Sequence, residues 1–249
     1  PTAKFSVSAD YHHWDIRDEV RLQSVDQLMR DEAACRTGDL DITSGTCQAA
    51  ISQITRGAAG TVQSIELKKI NVAKQTLDAV TLDMNYRQEM GAFGTLGLSG
   101  SWTRNLEHLL QDYPTDPVVD ALNDPYWSTD PKYKANASLS WNKARWTTTV
   151  YANYIGPTPS YRATLDPDGY AFAGAGRLGS YTTANASVNF EVTKDLKLSF
   201  LVNNLANRMP DMDVSSYPGN SGEPYNSNNF NLLGRAYYLE AKWNFGKGK

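Results

Sequence analysis

The sequence predicts an all-β fold, an antiparallel up-and-down transmembrane β-barrel with about eight strands. Apolar and polar residues alternate with a period of two in eight segments, which is typical of strands with one apolar and one polar face. Short and long links alternate between these segments, as they do at the two ends of a transmembrane barrel. No lysine, arginine, aspartate or glutamate lies in the middle of a predicted apolar face, although 20% of the residues are charged.

The first four segments each place their larger apolar residues on one face. These faces are formed by Phe5, Val7, Ala9 and Tyr11; by Val80, Leu82, Met84 and Tyr86; by Leu96, Leu98, Gly100 and Trp102; and by Tyr133, Ala135, Ala137, Leu139 and Trp141. The first segment changes phase near His12 and His13, toward Trp14 and Ile16. Because adjacent strand residues point to opposite faces, the two histidines are not expected to share a metal ion.

The last four segments follow the same pattern. Their apolar faces are formed by Trp146, Thr148, Val150, Ala152 and Tyr154; by Ala184, Ala186, Val188, Phe190 and Val192; by Leu196, Leu198, Phe200 and Val202; and by Tyr237, Leu239, Ala241, Trp243 and Phe245. The final segment alternates most clearly, because Tyr238, Glu240, Lys242 and Asn244 lie between its apolar positions.

The links between segments differ in length in a regular order. Three links are short, at residues 89–93, 142–145 and 193–195, and four are long, at about residues 21–65, 109–131, 157–179 and 207–232. In an up-and-down sheet, this order puts every short turn at one end and every long loop at the other. A Greek-key sandwich gives no reason for such sorting.

Aromatic residues fall near the predicted ends of the apolar faces, where a barrel wall would meet the lipid headgroups. They are Tyr86, Trp102, Trp141, Trp146, Phe190 and Phe245. The alternative is a soluble sandwich, whose dry core would also exclude charged residues. The barrel is favoured because it also accounts for the order of the links.

The composition excludes several classes of protein. The chain has 249 residues, with 24 basic and 27 acidic residues and a formal charge of -3, so a nucleic-acid partner has no electrostatic support. No run of 18 apolar residues is present, which excludes a membrane helix. The mean hydropathy of -0.50 is compatible with a barrel, because half of each strand is polar.

The two cysteines, Cys35 and Cys47, lie in a segment rich in glycine, threonine and aspartate, with eleven residues between them. A close pair of this kind indicates a disulfide formed in an oxidising compartment. Two unrelated thiols are the alternative. A zinc site would need further ligands, and the chain contains only three histidines.

Two C-terminal motifs add a resemblance to a known family. The stretch Val202-Asn203-Asn204-Leu205, followed by Asn207 and Pro210, resembles the penultimate strand of the TonB-dependent outer-membrane receptors and its exit into a long loop. The stretch from Gly234 to Phe245 resembles their last strand. Near the front, residues 8–11 and 14–17 lead to a cysteine-bearing loop, as in many receptors of this family.

This resemblance implies a plugged barrel of about 22 strands, of which residues 1–249 would form the C-terminal part. The chain opens at Pro1 without a recognisable signal peptide, so we expect a fragment or a processed piece. The implied location is the outer membrane of a Gram-negative bacterium. The implied partners are membrane lipid, an N-terminal plug, the remaining barrel strands, the energy-coupling protein TonB and a small nutrient.

The resemblance also suggests two sets of functional residues. Charged residues on the polar face would point into the lumen toward the plug: Asp83, Arg87, Glu191, Lys197, Glu240 and Lys242. Aromatic residues in the long loops are candidate ligand contacts: Tyr113, Tyr126, Trp127, Tyr161, Tyr170, Tyr217 and Tyr225. Such rings suit iron chelates, sugars and aromatic solutes equally well.

The predicted function is import of a scarce nutrient, which would be an iron chelate, a cobalamin-like molecule or an oligosaccharide. A stand-alone eight-stranded barrel with an adhesin or structural role is the alternative, since eight strands suffice to close a barrel filled by side chains. No pattern of residues indicates a catalytic site, a cofactor or a resident metal, so an enzyme is not expected.

Overall fold

The computed structural model describes residues 3–114, 116–124, 130–159, 177–211 and 229–245. Its residues form two compact units. The first unit, the sheet unit, comprises Pro1–Trp14, Thr76–Leu109 and Val119–Lys249. The second unit, the helical unit, comprises Asp15–Gln75 and Leu110–Val118.

Thirteen strands are present among the described residues. They are β1 (Ala3–Leu22), β2 (Ile54–Arg56), β3 (Val62–Ile65), β4 (Lys69–Glu89), β5 (Thr95–Gln111), β6 (Val119–Asp120), β7 (Tyr133–Lys143), β8 (Trp146–Ile155), β9 (Thr158–Pro159), β10 (Arg177–Leu178), β11 (Tyr181–Glu191), β12 (Leu196–Asn203) and β13 (Ala236–Trp243). The helices are α1 (Val25–Thr37) and α2 (Gly45–Gln53), with a short 3₁₀ turn at Gly91–Phe93. None of the helices in the described ranges is long and apolar enough to span a bilayer.

One large sheet contains all eight predicted segments. Its strands follow one another in the order β1-β4-β5-β7-β8-β11-β12-β13, with β6 added beside β5. The pairs from β5 to β13 are antiparallel. This order is the up-and-down meander predicted from the sequence, and β1 and β13 form the two ends of the order. The sheet is therefore not closed within the described residues.

The register confirms which residues share a face. Leu98 pairs with Leu139 and Leu139 with Val150. The same row continues through the pairs of Val150 with Ala186 and of Ala186 with Val202. Directly opposed residues in antiparallel strands point to the same side of a sheet, so the predicted apolar positions from β5 to β13 form one continuous face. The residues between them form the opposite, polar face.

The short links have the compact geometry that the sequence predicts. Gly94 adopts a φ of 89°, and a Cβ atom there would lie 2.1 Å from the carbonyl oxygen of Asn142. Only glycine fits this close approach of two backbones. Ala144, in the turn between β7 and β8, has a φ of 51°, so this two-residue link also uses the left-handed region.

Three strands are longer than the alternation predicts. The strands β1, β4 and β5 have 20, 21 and 17 residues, whereas the period-two pattern covers only part of each. Beyond that part apolar residues such as Val20, Ile70 and Leu106 still occur, but charged residues stand at both odd and even positions. The strands continue there without a regular alternation, and hydrophobic periodicity does not report such an extension.

The helical unit corrects the prediction that residues 21–65 form a cysteine-bearing loop. Helix α1 begins after Ser24, whose hydroxyl accepts a hydrogen bond from the Gln27 N–H, and α2 begins after Ser44 in the same way. The two helices and the β2–β3 hairpin enclose a small core around Leu28 and Ala50. The serine caps are sequence signals of helix starts, and they are the features that could have located these helices.

Candidate functional site

The apolar face of the sheet is exposed. Leu239 is 82% exposed and Phe200 is 45% exposed. Other large apolar residues exposed on this face are Phe5, Val7, Leu82, Leu139, Trp141, Val150, Leu198, Tyr237 and Trp243. The described residues contain no second large sheet that covers them. A contiguous apolar surface of this size marks contact with a membrane or another protein, and it argues against a soluble sandwich core.

Charged residues and aromatic rings bound the apolar face at both ends. Arg104 pairs with Tyr133 at the end of the sheet that carries the long links, and its guanidinium lies 5.7 Å from the ring centre. At the opposite end, the ammonium group of Lys143 lies 5.8 Å from the ring centre of Phe93. Aromatic rings and long cationic side chains are the usual anchors at a membrane–water interface. The face therefore resembles a lipid-facing band.

The predicted lumen residues lie on the polar face. The Thr81 hydroxyl lies 3.2 Å from that of Thr103, which places Asp83 and Arg87, on alternate positions of the same strand, on this face. Near the short-link end, Glu191 pairs with Lys197, and Lys197 pairs with Lys242. A row of charged side chains that includes the like-charged Lys197 and Lys242 suits a wet lumen, where water screens the charges. Contact of these residues with a plug stays a prediction.

A cleft of about 560 Å³ opens on the polar face at the long-link end of the sheet unit. Its walls are rich in amides and hydroxyls, and Lys134 is the one charged residue among the described residues that line it. The lining amides are those of Asn136, Asn153, Asn185, Asn203, Asn204, Asn229 and Asn231. These asparagines come from several strands and from the segments next to β12 and β13, so no single stretch of the sequence reveals them together.

The predicted loop contacts are only partly covered by the structure. Tyr113 is half-buried in the helical unit, and its hydroxyl accepts a hydrogen bond of 2.6 Å from the Ser24 N–H. This bond gives Tyr113 a local structural role, and its role as a ligand contact stays a prediction. Tyr126, Trp127, Tyr161, Tyr170, Tyr217 and Tyr225 lie outside the described residues.

The paired-asparagine motif shapes the exit from β12. Asn204 has a φ of 50° and Asn207 a φ of 51°, a conformation that asparagine tolerates better than most residues. The Asn204 side chain accepts a hydrogen bond from the Arg208 N–H and donates one to the Arg208 carbonyl. The Asn207 side chain accepts a hydrogen bond of 2.8 Å from the Arg235 N–H. The motif therefore fixes the chain just before β13.

We expect Asn207→Ala to loosen this connection by about 1–2 kcal/mol, because it removes one hydrogen bond and places in the left-handed region an alanine, which tolerates that conformation less well than asparagine. Asn207→Gly keeps the backbone freedom and removes only the bond, so it should cost about half as much. Hydrogen–deuterium exchange of the Arg235 amide measures the effect. Equal protection in both variants and the wild type would show that the Asn207 side chain does not hold β13.

A buried carboxylate organises the helical unit. Glu32 in α1 is 1% exposed, and its carboxylate accepts hydrogen bonds from Arg56 at 2.5 Å and from Arg36 at 2.8 Å. The Arg56 guanidinium, with a smaller effect from Arg36, lowers the pKa of Glu32 to about 2 against the opposing effect of burial. The Cys35–Cys47 disulfide, predicted from the spacing, joins α1 to α2 with a Cα–Cα distance of 5.7 Å. The disulfide and the buried ion pairs thus hold the elements of the helical unit together.

The histidines and carboxylates of the described residues do not assemble into a metal site. Within the described ranges, no group of three or more histidine, cysteine, aspartate or glutamate residues could hold a metal ion. His12 stacks on Trp14, whereas His13 pairs with Asp78, so the adjacent histidines have different partners. His108 lies 2.8 Å from Asp130 and lowers the pKa of that carboxyl.

Comparison with known families identifies the architecture. The family model described as "TonB dependent receptor-like, beta-barrel" matches residues 2–205. The chain belongs to this family. The match agrees with the up-and-down order of the sheet and with the exposed apolar face. Members of the TonB-dependent receptor barrel family are receptors and transporters of the Gram-negative outer membrane, and they are not enzymes.

Three solved structures are similar to this chain, and the first of them, with a TM-score above 0.5, shows the same fold. The ferric enterobactin receptor PfeA of Pseudomonas aeruginosa is similar with a TM-score of 0.55 and 13% identity, over 95% of this chain and 28% of that chain. The ferric-catecholate import receptor Fiu of E. coli K12 has a TM-score of 0.47 and 15% identity, over 96% and 25% of the two chains. The copper transporter OprC has a TM-score of 0.48 and 12% identity, over 96% and 28%.

The chain thus spans about a quarter of the length of these solved receptors. No curated protein matches its sequence. The family implies a plug, a TonB partner and a small-molecule ligand for the receptor as a whole.

Proposed function

We propose that this chain forms the C-terminal part of the barrel wall of a TonB-dependent outer-membrane receptor, which captures a scarce nutrient outside the cell and imports it to the periplasm. The observation that carries the proposal is the exposed apolar face opposite a polar face with a cleft. Such a wall needs lipid on one side and water on the other. The family match supports the same assignment.

The orientation follows from the links. In barrels of this type the short turns face the periplasm and the long loops face outward. The cleft lies at the long-link end and on the side that would face the lumen, where an arriving nutrient would enter. The nutrient would be an iron chelate, a cobalamin-like molecule or an oligosaccharide.

A stand-alone eight-stranded barrel is the second candidate. It would require β1 to pair with β13, and these strands lie at opposite ends of the sheet order within the described residues. Two unpaired edges favour a wall completed by further strands, because open edges are not tolerated in lipid. Residues 1–249 would then belong to a larger barrel of about 22 strands that encloses an N-terminal plug.

Uptake by whole cells tests the function. Cells that express the full-length receptor are supplied with radiolabelled ferric enterobactin, cyanocobalamin or a mixture of neutral oligosaccharides, with and without a protonophore. We expect periplasmic accumulation of one probe, and its loss when the proton gradient that drives TonB is removed. Accumulation that persists without the gradient, or failure of all three probes, would count against the proposal.

A further inference from the structure

Four polar residues form a row across neighbouring strands at the floor of the cleft. Each residue pairs with the next in the register of β5, β7, β8 and β11: Ser101, Asn136, Asn153 and Thr183. All four line the cleft and lie on the polar face. Directly opposed side chains lie about 5 Å apart, so the row presents polar groups at a regular spacing along the cleft.

The two amides in the middle of this row are available for a ligand. In the part of the chain that the structure describes, the side chains of Asn136 and Asn153 make no hydrogen bond, whereas that of Asn185 accepts one from the Asn204 N–H. An asparagine amide offers two donors and one acceptor oxygen. The pair therefore presents four donors and two acceptors toward the cleft.

The charge of the lining limits the class of ligand. Lys134 is the one charged side chain among the described lining residues, and these residues include no carboxylate, histidine, cysteine or methionine. A strongly anionic ligand is normally held by several arginines or lysines. Soft metals such as copper require sulfur or imidazole ligands. Neither kind of ligand matches this wall.

An aromatic ring completes the site. Tyr238 lines the cleft from β13 and is exposed. Its ring can cover the apolar C–H face of a sugar while the neighbouring amides and hydroxyls bind the hydroxyl groups. A hydroxyl group both donates and accepts hydrogen bonds, which is the capacity that paired asparagines provide.

We propose that this cleft is a subsite for a neutral polyhydroxylated ligand, an oligosaccharide, held by the amides of Asn136 and Asn153. The proposal rests on the import function and names the class of nutrient. It assigns ligand contacts to the strand wall, in addition to the loops.

Calorimetric titration of the full-length receptor tests the subsite. The probes are neutral hexasaccharides of glucose, xylose, mannose and galactose, with ferric enterobactin as the anionic probe. A detergent without a sugar headgroup avoids competition for the cleft. We expect at least one hexasaccharide to bind, and the double variant Asn136→Ala/Asn153→Ala to bind it at least tenfold more weakly, since two hydrogen bonds are lost.

The matched control is Asn85→Ala. Asn85 is an exposed asparagine on the polar face of β4 that lies outside this cleft, and its removal should leave the affinity unchanged. Thermal unfolding of each variant shows whether the sheet is intact. If the double variant does not fold, the single variants Asn136→Ser and Asn153→Ser, which keep a hydroxyl, replace it and should each weaken binding measurably.

Three results would overturn the subsite: no hexasaccharide binds, the asparagine variants bind it as tightly as the wild type, or the same variants weaken ferric enterobactin instead. The uptake assay is read separately. Gradient-dependent import of ferric enterobactin would refute the proposed sugar subsite and would support the proposed import function. Hexasaccharide binding without gradient-dependent uptake would support the proposed subsite and would refute the proposed import function.

Discussion

Replacing Leu139 by arginine should destabilise the membrane-inserted protein by about 2–4 kcal/mol, the cost of a cationic side chain near the middle of a bilayer. Leu139 lies at the centre of the apolar face, between Leu98 and Val150 in the register, and it is exposed. The Arg104 and Lys143 side chains lie at the two ends of this face, where a long cationic side chain can reach the water. An arginine at position 139 would be too far from either end to do so easily.

The neighbouring change Ser138→Arg is the matched control. Ser138 points to the polar face, where it pairs with Ser99 and Tyr151, so a charge there stays in water and should cost within about 0.5 kcal/mol. Both free energies of unfolding are measured by denaturant titration of the full-length receptor in phospholipid vesicles. Equal losses in the two variants would contradict a lipid-facing wall and would favour a protein partner on both faces.

Removing the buried carboxylate with Glu32→Ala should lower the free energy of opening of the helical unit by about 3 kcal/mol. Breaking a buried ion pair leaves the opposite charge without compensation and typically costs 3–5 kcal/mol. The lower end applies because Arg36 and Arg56 keep partial access to water. Hydrogen–deuterium exchange of α1 and the β2–β3 hairpin measures the change.

Asp31→Ala, one residue earlier in the same helix, is the matched control. The Asp31 carboxylate accepts one hydrogen bond of 2.8 Å, from the Gln27 side chain, and its loss should cost about 1 kcal/mol at most. A similar change in both variants would show that the ion pairs of Glu32 with Arg36 and Arg56 stabilise the helical unit no more than the single Asp31 hydrogen bond does.

The ion pairs of Glu32 with Arg36 and Arg56 should also make the helical unit sensitive to acid. The pKa of Glu32 is about 2 in the folded unit and near 4.5 without its partners. Its stabilising effect is therefore complete above about pH 4.5 and is lost as the pH falls toward 2. Because Glu32→Gln cannot titrate, the difference in opening free energy between wild type and Glu32→Gln should be constant above pH 5 and shrink at pH 3. A constant difference down to pH 3 would contradict the assigned ion pairs.

Much of the sheet unit follows from the sequence. The residues assigned to one apolar face, such as Leu98, Leu139 and Phe200, do share a face in the register. They do so because a strand turns successive side chains to opposite sides, so a period of two translates directly into two surfaces. The short turns and the Cys35–Cys47 pairing were likewise readable from local sequence.

The helices of residues 21–65 were not predicted, because a small insertion carries a weak periodic signal. Helix α1 has only three large apolar residues, Val25, Leu28 and Met29, and one of its most buried side chains is Glu32. A buried carboxylate looks like a surface residue in a sequence. Its burial is favoured mainly by Arg56, 24 positions away along the chain, together with Arg36 on the same helix.

The alternation of side chains by itself determined that this chain builds a meander with one apolar and one polar surface, since that property belongs to each strand separately. Only the tertiary structure decided that the apolar surface is left uncovered and that Asn136, Asn153 and Thr183 meet in one cleft. These three residues are separated along the chain by 17 and 30 positions. Their neighbourhood depends on the register between strands, which hydrogen bonding across the sheet sets and no single segment encodes.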